Sequence, residues 1–119
     1  MGTSSESEEP LEIYAPLEGD HIQIKWRDGL ISSLPLRLLR GFCPCAYCQG
    51  HGGPIRWVEE ALSSDLRIRE IGEVGNYAIR ILWSDGHGSG IYSFRFLRKL
   101  HELGSKKEQE WRQTELGRL

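Results

Sequence analysis

All three cysteines of the 119-residue chain lie within six consecutive positions, in the segment "GFCPCAYC". Cys43 and Cys45 are separated by one residue, and Cys45 and Cys48 by two. A tight turn of backbone can point thiols at this spacing toward one centre. Zn²⁺ is held in proteins by four such ligands, usually cysteine thiolates and histidine nitrogens. The spacing therefore predicts a metal site that needs one further ligand.

Two histidines are candidates for that fourth ligand. His51 is the nearer one in sequence, three residues after Cys48 in the loop "GHGG", which could fold back on the cysteines. His87 lies much later in the chain, in "SDGHGSG". Local spacing alone favours His51. Because there is no fourth cysteine, an iron–sulfur cluster at this site would also need a ligand of another type.

Other uses of the cysteines are open at this point. Cys45 and Cys48 could form a redox-active dithiol, but such a pair normally opens a helix in a strand-helix-strand unit, a pattern that this sequence does not show. They could also be ordinary reduced cysteines. Residues of that kind are usually buried in apolar surroundings, whereas these three share a loop that contains proline and glycine.

The elements that must position these residues occur as a repeat. The segments "IQIKWRDG" and "AIRILWSDG" both place alternating apolar residues before an Asp-Gly pair. Alternation predicts a half-buried strand, and Asp-Gly predicts a tight hairpin turn. A second strand and a short helix follow in each copy. We therefore predict an α+β domain with a small antiparallel sheet of about five strands and two or three short helices, stapled by a metal.

Composition divides the chain into three parts. Residues 1–11 are acidic and rich in serine, which is typical of a disordered tail. Residues 12–103 are predicted to form the folded domain. Residues 104–119 form a highly charged tail that could be helical, in which Trp111 either packs back on the core or is exposed for a contact.

Charge and hydropathy exclude several classes of function. The net charge is −2 and the pI is about 6.1, so the chain lacks the basic surface that nucleic-acid binding requires. It has no apolar run long enough to cross a membrane and no leader-like N-terminus. We expect a cytoplasmic protein, in which clustered cysteines indicate metal or redox chemistry rather than disulfides.

Several of these motifs occur together in one known protein family. The segments "IQIKWRDG", "LPLRLLRGFCPCAYC" and "GNYAIRILWSDGHGSG" resemble the gamma-butyrobetaine hydroxylase-like N-terminal domain, over about residues 12 to 103. That domain precedes the oxygenase domain of gamma-butyrobetaine and trimethyllysine dioxygenases. It also occurs alone in bacteria and at the end of some Mrp-type ATPases that assemble iron–sulfur clusters. The resemblance implies a structural zinc bound by Cys43, Cys45, Cys48 and, in place of His51, His87.

The resemblance does not extend to a catalytic centre. The sequence contains no His-x-Asp or His-x-Glu pair for catalytic iron and no P-loop. The resemblance therefore implies a non-catalytic zinc module of the bacterial cytoplasm that acts through a protein partner. Two alternatives are an accessory role in handling iron or iron–sulfur clusters, which rests on the ATPase fusions alone, and a thiol oxidoreductase that uses Cys45 and Cys48.

Overall fold

The computed structural model describes residues 8–16, 18–50, 53–59, 62 and 65–116. These residues form eight strands and four short α-helices, and none of the helices has the length and apolar character that a membrane crossing requires. In chain order the elements are β1 (Pro10–Tyr14), β2 (His21–Trp26), β3 (Ile31–Pro35), α1 (Leu36–Gly41), α2 (Ala46–Gln49), β4 (Ile55–Arg56), β5 (Ile68–Val74), β6 (Ala78–Trp83), β7 (Ile91–Ser93), α3 (Phe94–Leu100), a 3-10 turn (His101–Leu103), α4 (Glu108–Arg112) and β8 (Glu115–Leu116).

The strands form three sheets instead of the single sheet that the sequence predicted. The order is β1-β2-β3 in one three-stranded sheet and β5-β6-β7 in the other, while β4 pairs with β8. All pairings are antiparallel, as expected. The difference arises because each repeat adds one strand before its hairpin and forms a sheet of its own. The α+β class is confirmed.

The two hairpin turns have the same backbone hydrogen bonds. The N–H of Trp26 donates to the carbonyl of Leu30 over 2.9 Å, and the N–H of Trp83 donates to the carbonyl of His87 over the same distance. His87 therefore occupies in the second repeat the turn position that Leu30 occupies in the first. The repeat that alternation and the Asp-Gly pairs predicted is present down to individual hydrogen bonds.

The Asp-Gly pair has the same structural role in both turns. Gly29 and Gly86 have φ angles of 97° and 90°, a conformation that residues with a Cβ rarely adopt. The side chains of Asp28 and Asp85 each accept a hydrogen bond from the backbone N–H two residues later. This bond is the usual Asx turn, and it fixes the backbone of His87 relative to β6.

Both sheets place their apolar faces against one core. The alternation in β2 and β6 buries the predicted apolar positions and leaves the residues between them exposed or half-buried, which is the pattern of a sheet with one solvated face. The buried members of these strands are Ile22, Ile24, Trp26, Ala78, Ile79, Ile81 and Trp83. The helices that follow β3 and β7 cover the same core with Leu38, Leu39, Phe96, Leu97 and Leu100.

The structure also places parts of the two predicted tails. Strand β1 takes in Pro10 and Leu11 from the segment for which disorder was expected, whereas residues 1–7 lie outside the described residues. In the C-terminal tail, α4 is a helix, and Trp111 packs on the core with 4% of its surface exposed. Its indole N–H donates to the carbonyl of Leu103 over 2.7 Å, and its ring lies 5.6 Å from that of Trp57.

Candidate metal centre

The cysteines lie at the end of α1 and on the single turn of α2. Cys43 lies two residues after the end of α1, and its N–H donates to the carbonyl of Arg40 over 3.2 Å. Cys45 is the N-cap of α2, and the N–H of Cys48 donates to the Cys45 carbonyl over 3.2 Å. Residues three apart on a helical turn lie on the same side. The two-residue gap between Cys45 and Cys48 therefore places both thiols on the same side of this turn.

A glutamine holds this loop in place. The Gln49 side-chain amide donates to the carbonyls of Cys43 and Arg56 over 3.0 and 2.9 Å, and its oxygen accepts from the Arg56 N–H over 3.0 Å. These three bonds tie the cysteine loop to β4. Sequence reasoning missed Gln49, because a single polar residue in a polar loop carries no spacing signal.

His87 reaches the cysteines from the second repeat. Its Nε2 atom lies 3.4 Å from the Sγ atoms of Cys43 and Cys45 and 3.8 Å from the Sγ of Cys48. The four ligand atoms all lie within 4.8 Å of one another. The structure thus brings together the four residues that the family resemblance implied. His51, which local spacing favoured, lies outside the described residues.

These distances fit a single tetrahedral ion. Zn–S bonds of about 2.3 Å and Zn–N bonds of about 2.0 to 2.1 Å, at tetrahedral angles, place a sulfur and a nitrogen ligand about 3.6 Å apart. The three observed sulfur–nitrogen distances lie on both sides of that value. A cluster of several irons spreads its ligands farther apart, because bridging sulfides separate the metal ions. The donor set and its spacing therefore suit one ion.

A buried arginine joins the two halves of the site. Only 5% of Arg40 is exposed. Its Nη1 donates to the Sγ of Cys48 over 3.4 Å, and its Nε lies 3.5 Å from Oδ2 of Asp85. The other oxygen of Asp85 accepts from the His87 N–H over 2.9 Å. Three thiolates and a divalent cation carry a net charge of −1, which the guanidinium offsets.

The two arginines of α1 have different partners. Arg37 points away from the cysteines and pairs with Glu108 of α4, with 3.0 Å between Nη2 and Oε1. Of these two arginines, Arg40 is the one that contacts a candidate ligand. Asp85 was recognised only as a turn residue. Its second role follows from the fold, which brings the turn of one repeat to the helix of the other.

Burial affects the protonation of two of the candidate ligands, Cys43 and His87. Burial raises the pKa of the Cys43 thiol to about 12, so the side chain keeps its proton unless a cation replaces it. Burial, and next the charge of Arg40, lower the pKa of His87. Histidine is then neutral at pH 7, which is the form that binds metals.

A glycine leaves room for one of the thiols. A Cβ atom added at Gly90 would lie 2.7 Å from the Sγ of Cys43. The equivalent position in the first repeat is Ser32, whose hydroxyl accepts a hydrogen bond from the Trp26 indole and lies 2.8 Å from Nδ1 of His101. The second repeat thus lacks a side chain where the candidate ligand needs space.

Comparison with other proteins identifies relatives of this architecture. A family model described as gamma-butyrobetaine hydroxylase-like, N-terminal, matches residues 15–98. A protein of unknown function in the DUF971 family from Acidithiobacillus ferrooxidans, known from a crystal structure, is 32% identical, over 81% of this chain and 96% of that chain, with a TM-score of 0.64. A protein known from an NMR solution structure is 25% identical, over 93% and 82% of the two chains, with a TM-score of 0.69. A second NMR structure shares the fold, with 22% identity, 87% and 80% coverage and a TM-score of 0.67. No curated protein matches the chain.

Proposed function

The chain belongs to the gamma-butyrobetaine hydroxylase-like N-terminal domain family, and we propose that it is a non-catalytic module that binds one zinc ion and acts through contact with another protein. The ligands are Cys43, Cys45, Cys48 and His87. The observation that carries the proposal is the convergence of these four donor atoms within 4.8 Å of one another. Three sulfurs and one imidazole nitrogen form one of the common donor sets of structural zinc.

The number of ligands supports a structural role for the metal. Catalytic zinc sites keep one coordination position open for water or substrate, whereas structural sites are closed by four protein ligands. Here the four protein ligands leave no open position. They come from the loop after α1 and the turn after β6, so the ion would connect the two repeats. Binding of structural zinc contributes on the order of 10 kcal/mol to folding in small domains.

The surroundings of the thiols speak against redox catalysis. A catalytic thiol needs access to its substrate and a lowered pKa. Cys43 is fully buried and Cys45 is 8% exposed. Cys48 is more exposed, but the two cysteines with which it could form a dithiol are the buried Cys43 and Cys45. We therefore assign the cysteines to metal binding, and we expect thiol labelling to be slow until a chelator is added.

Elemental analysis of the purified protein, expressed without added metals, tests the proposal. The unchanged protein and a His21→Ala control are expected to contain one zinc per chain, because His21 lies on β2 outside the site. Cys45→Ser and His87→Ala are expected to lose most of the zinc. Folded variants that both retain stoichiometric zinc would contradict the ligand assignment. Iron, or iron with sulfide, in the unchanged protein would contradict the zinc assignment and favour the iron-handling alternative.

A further inference from the structure

An open groove of about 660 Å³ lies between the two three-stranded sheets, away from the cysteines. It has strand β1 on one side and strand β5 on the other. These strands are equivalent members of the two repeats, since each precedes the repeat's hairpin. Its lining includes Glu12, Ile13, Glu70, Ile71, Glu73 and Phe94.

Both walls of the groove are edges of sheets. β1 pairs only with β2 in the first sheet, and β5 pairs only with β6 in the second. One side of each strand therefore lacks a partner strand in these sheets. Unpaired strand edges accept an added strand, whose main chain supplies affinity while alternate side chains enter pockets. The groove presents two such edges at once.

The groove has an apolar floor and an acidic rim. Ile13, Ile71 and Phe94 are partly buried and pack against the core. At the rim, Glu12, Glu70, Glu73 and Arg69 are exposed, which gives three negative charges against one positive. Glu12 lies 3.6 Å from Lys25, whereas Glu70 and Glu73 form no ion pair within the described part of the chain.

Glu73 is the most informative of these residues. It lies opposite Ile79 in the pairing of β5 with β6, and two residues after Ile71. Successive side chains alternate between the faces of a strand, so Glu73 shares the core-facing side with Ile71 and Ile79. It is nevertheless exposed, because the groove opens there. An inward-facing carboxylate at a sheet edge either repels other edges or receives a basic side chain.

We infer that this groove binds an extended segment of a partner protein, with alternating apolar and basic residues, as an added strand. The inference rests on the proposed function, because it identifies the surface and the partner chemistry of a module that acts through protein contacts. Apolar side chains of the segment face the floor, and a lysine or arginine reaches Glu73. The chain's own segment before β1, "MGTSSESEE", has no basic side chain and does not complement the acidic rim.

A peptide of alternating valine and lysine, as long as β5, is the probe. It is labelled with a fluorophore and its binding to the zinc-loaded protein is followed by anisotropy. We expect saturable binding together with slower amide hydrogen exchange in β1 and β5. The matched peptide with glutamate in place of lysine is expected not to bind. Absence of binding by the lysine peptide, or binding without protection of either strand, would overturn the inference.

Variants at the rim locate the binding site. Glu73→Gln is expected to weaken binding several-fold, because the basic side chain of the peptide loses its charged partner. Glu73→Lys is expected to abolish binding, because it places two positive charges next to each other. Glu102→Gln, an exposed carboxylate on the 3-10 turn outside the groove, is the control and is expected to bind as the unchanged protein does. Equal affinity of the Glu73→Lys and Glu102→Gln variants would place the peptide elsewhere.

The outcome separates this inference from the metal assignment. Zinc content and circular dichroism are measured on the same samples. Full zinc content without peptide binding refutes the groove and leaves the metal site intact. Peptide binding by a folded protein that contains no metal and takes up none when zinc is added refutes the metal site and leaves the groove. If Glu73→Lys instead causes concentration-dependent self-association, measured by sedimentation, the carboxylate serves to repel other edges and the inference is wrong.

Discussion

At the scale of single residues, the candidate ligands depend on neighbours that hold and neutralise them. Arg40 is buried, contacts the Cys48 sulfur and lies beside Asp85, which in turn fixes the backbone of His87. A buried guanidinium is costly unless opposite charge lies close by. The thiolates of a metal-loaded site and the Asp85 carboxylate both supply it. We therefore expect Arg40 and a bound metal to stabilise one another.

Replacing Arg40 with glutamine is expected to weaken metal binding. The variant loses the charge that offsets the thiolates and the contact to Cys48, and changes of this kind around a metal site typically cost about 10- to 100-fold in affinity. The measurement is competition with a chromophoric zinc chelator. Arg37→Gln is the matched control, because Arg37 pairs with Glu108 and not with the site. Equal affinities for the two variants would show that Arg40 does not support the ligands.

Replacing Gly90 with alanine tests the space around Cys43. The added Cβ would lie 2.7 Å from the Cys43 sulfur, closer than such atoms approach, so the thiol or the strand β7 must shift. We expect reduced zinc affinity and a lower midpoint of chemical unfolding. Gly72→Ala is the control, since a Cβ there meets nothing within 4 Å. If Gly90→Ala and Gly72→Ala bind zinc equally well, the close approach is not a constraint on the site.

At the scale of elements, short segments are held by their ends and neighbours more than by their own propensity. α2 has only four residues and α4 only five, lengths that are not stable as isolated helices. Gln49 anchors the first, and the Trp111 side chain anchors the second. The sequence predicted neither anchor as such. The sequence did not decide whether Trp111 packs on the core or is exposed, because its neighbours in sequence are charged and its contact, Trp57, is distant in the chain.

Replacing Trp111 with alanine is expected to detach α4 from the core. Truncation of a buried tryptophan costs about 3 to 5 kcal/mol of unfolding free energy, and the hydrogen bond to Leu103 is also lost. Urea unfolding of the zinc-loaded protein measures the change. Gln109→Ala, on the exposed side of the same helix, should change stability little. A Trp111→Ala variant as stable as Gln109→Ala would mean that α4 does not contribute to the fold.

At the scale of the whole molecule, the two repeats exchange equivalent contacts. Arg40 of the first repeat lies beside Asp85 in the turn of the second, and Arg98 of the second donates to Asp28 in the turn of the first, over 2.8 Å. The Arg98 guanidinium also stacks over the Trp26 ring, 5.4 Å from its centre. The candidate metal centre lies beside only one of these two pairs. It is formed where the repeats differ, with His87 in place of Leu30.

Much of this arrangement could be predicted from the sequence. The Asp-Gly turns, the alternation in β2 and β6 and the short helices after each hairpin are local patterns, and all are present. Division into three sheets was not predictable in this way, because β4 and β8 pair although they lie far apart in the chain and local patterns do not say which strands share a sheet. The choice of His87 came from the family resemblance. Spacing favoured His51, since sequence distance says nothing about a turn that the fold brings back.

Asp28 and Asp85, the turn aspartates of the two repeats, give a matched test of this placement of the candidate metal site beside one Arg–Asp pair. Asp85→Asn keeps the hydrogen bond to the His87 N–H but removes the charge near Arg40, and we expect about tenfold weaker zinc binding. Asp28→Asn makes the same change in the other repeat, where it removes the pair with Arg98 but no contact to a candidate ligand. Its zinc affinity should match that of the unchanged protein. Equal losses in both variants would indicate a general effect on the fold instead of a local effect on the site.

X-ray absorption at the zinc edge of the purified protein tests the central claim most directly, because it reports the atoms bound to the metal. The structure predicts three sulfur ligands at about 2.3 Å and one nitrogen ligand at about 2.0 to 2.1 Å. His87→Ala should retain the sulfur ligands of any zinc still bound and lose the imidazole signal. A spectrum without sulfur ligands, or an imidazole signal that persists in His87→Ala, would contradict the assignment of Cys43, Cys45, Cys48 and His87 as the metal site.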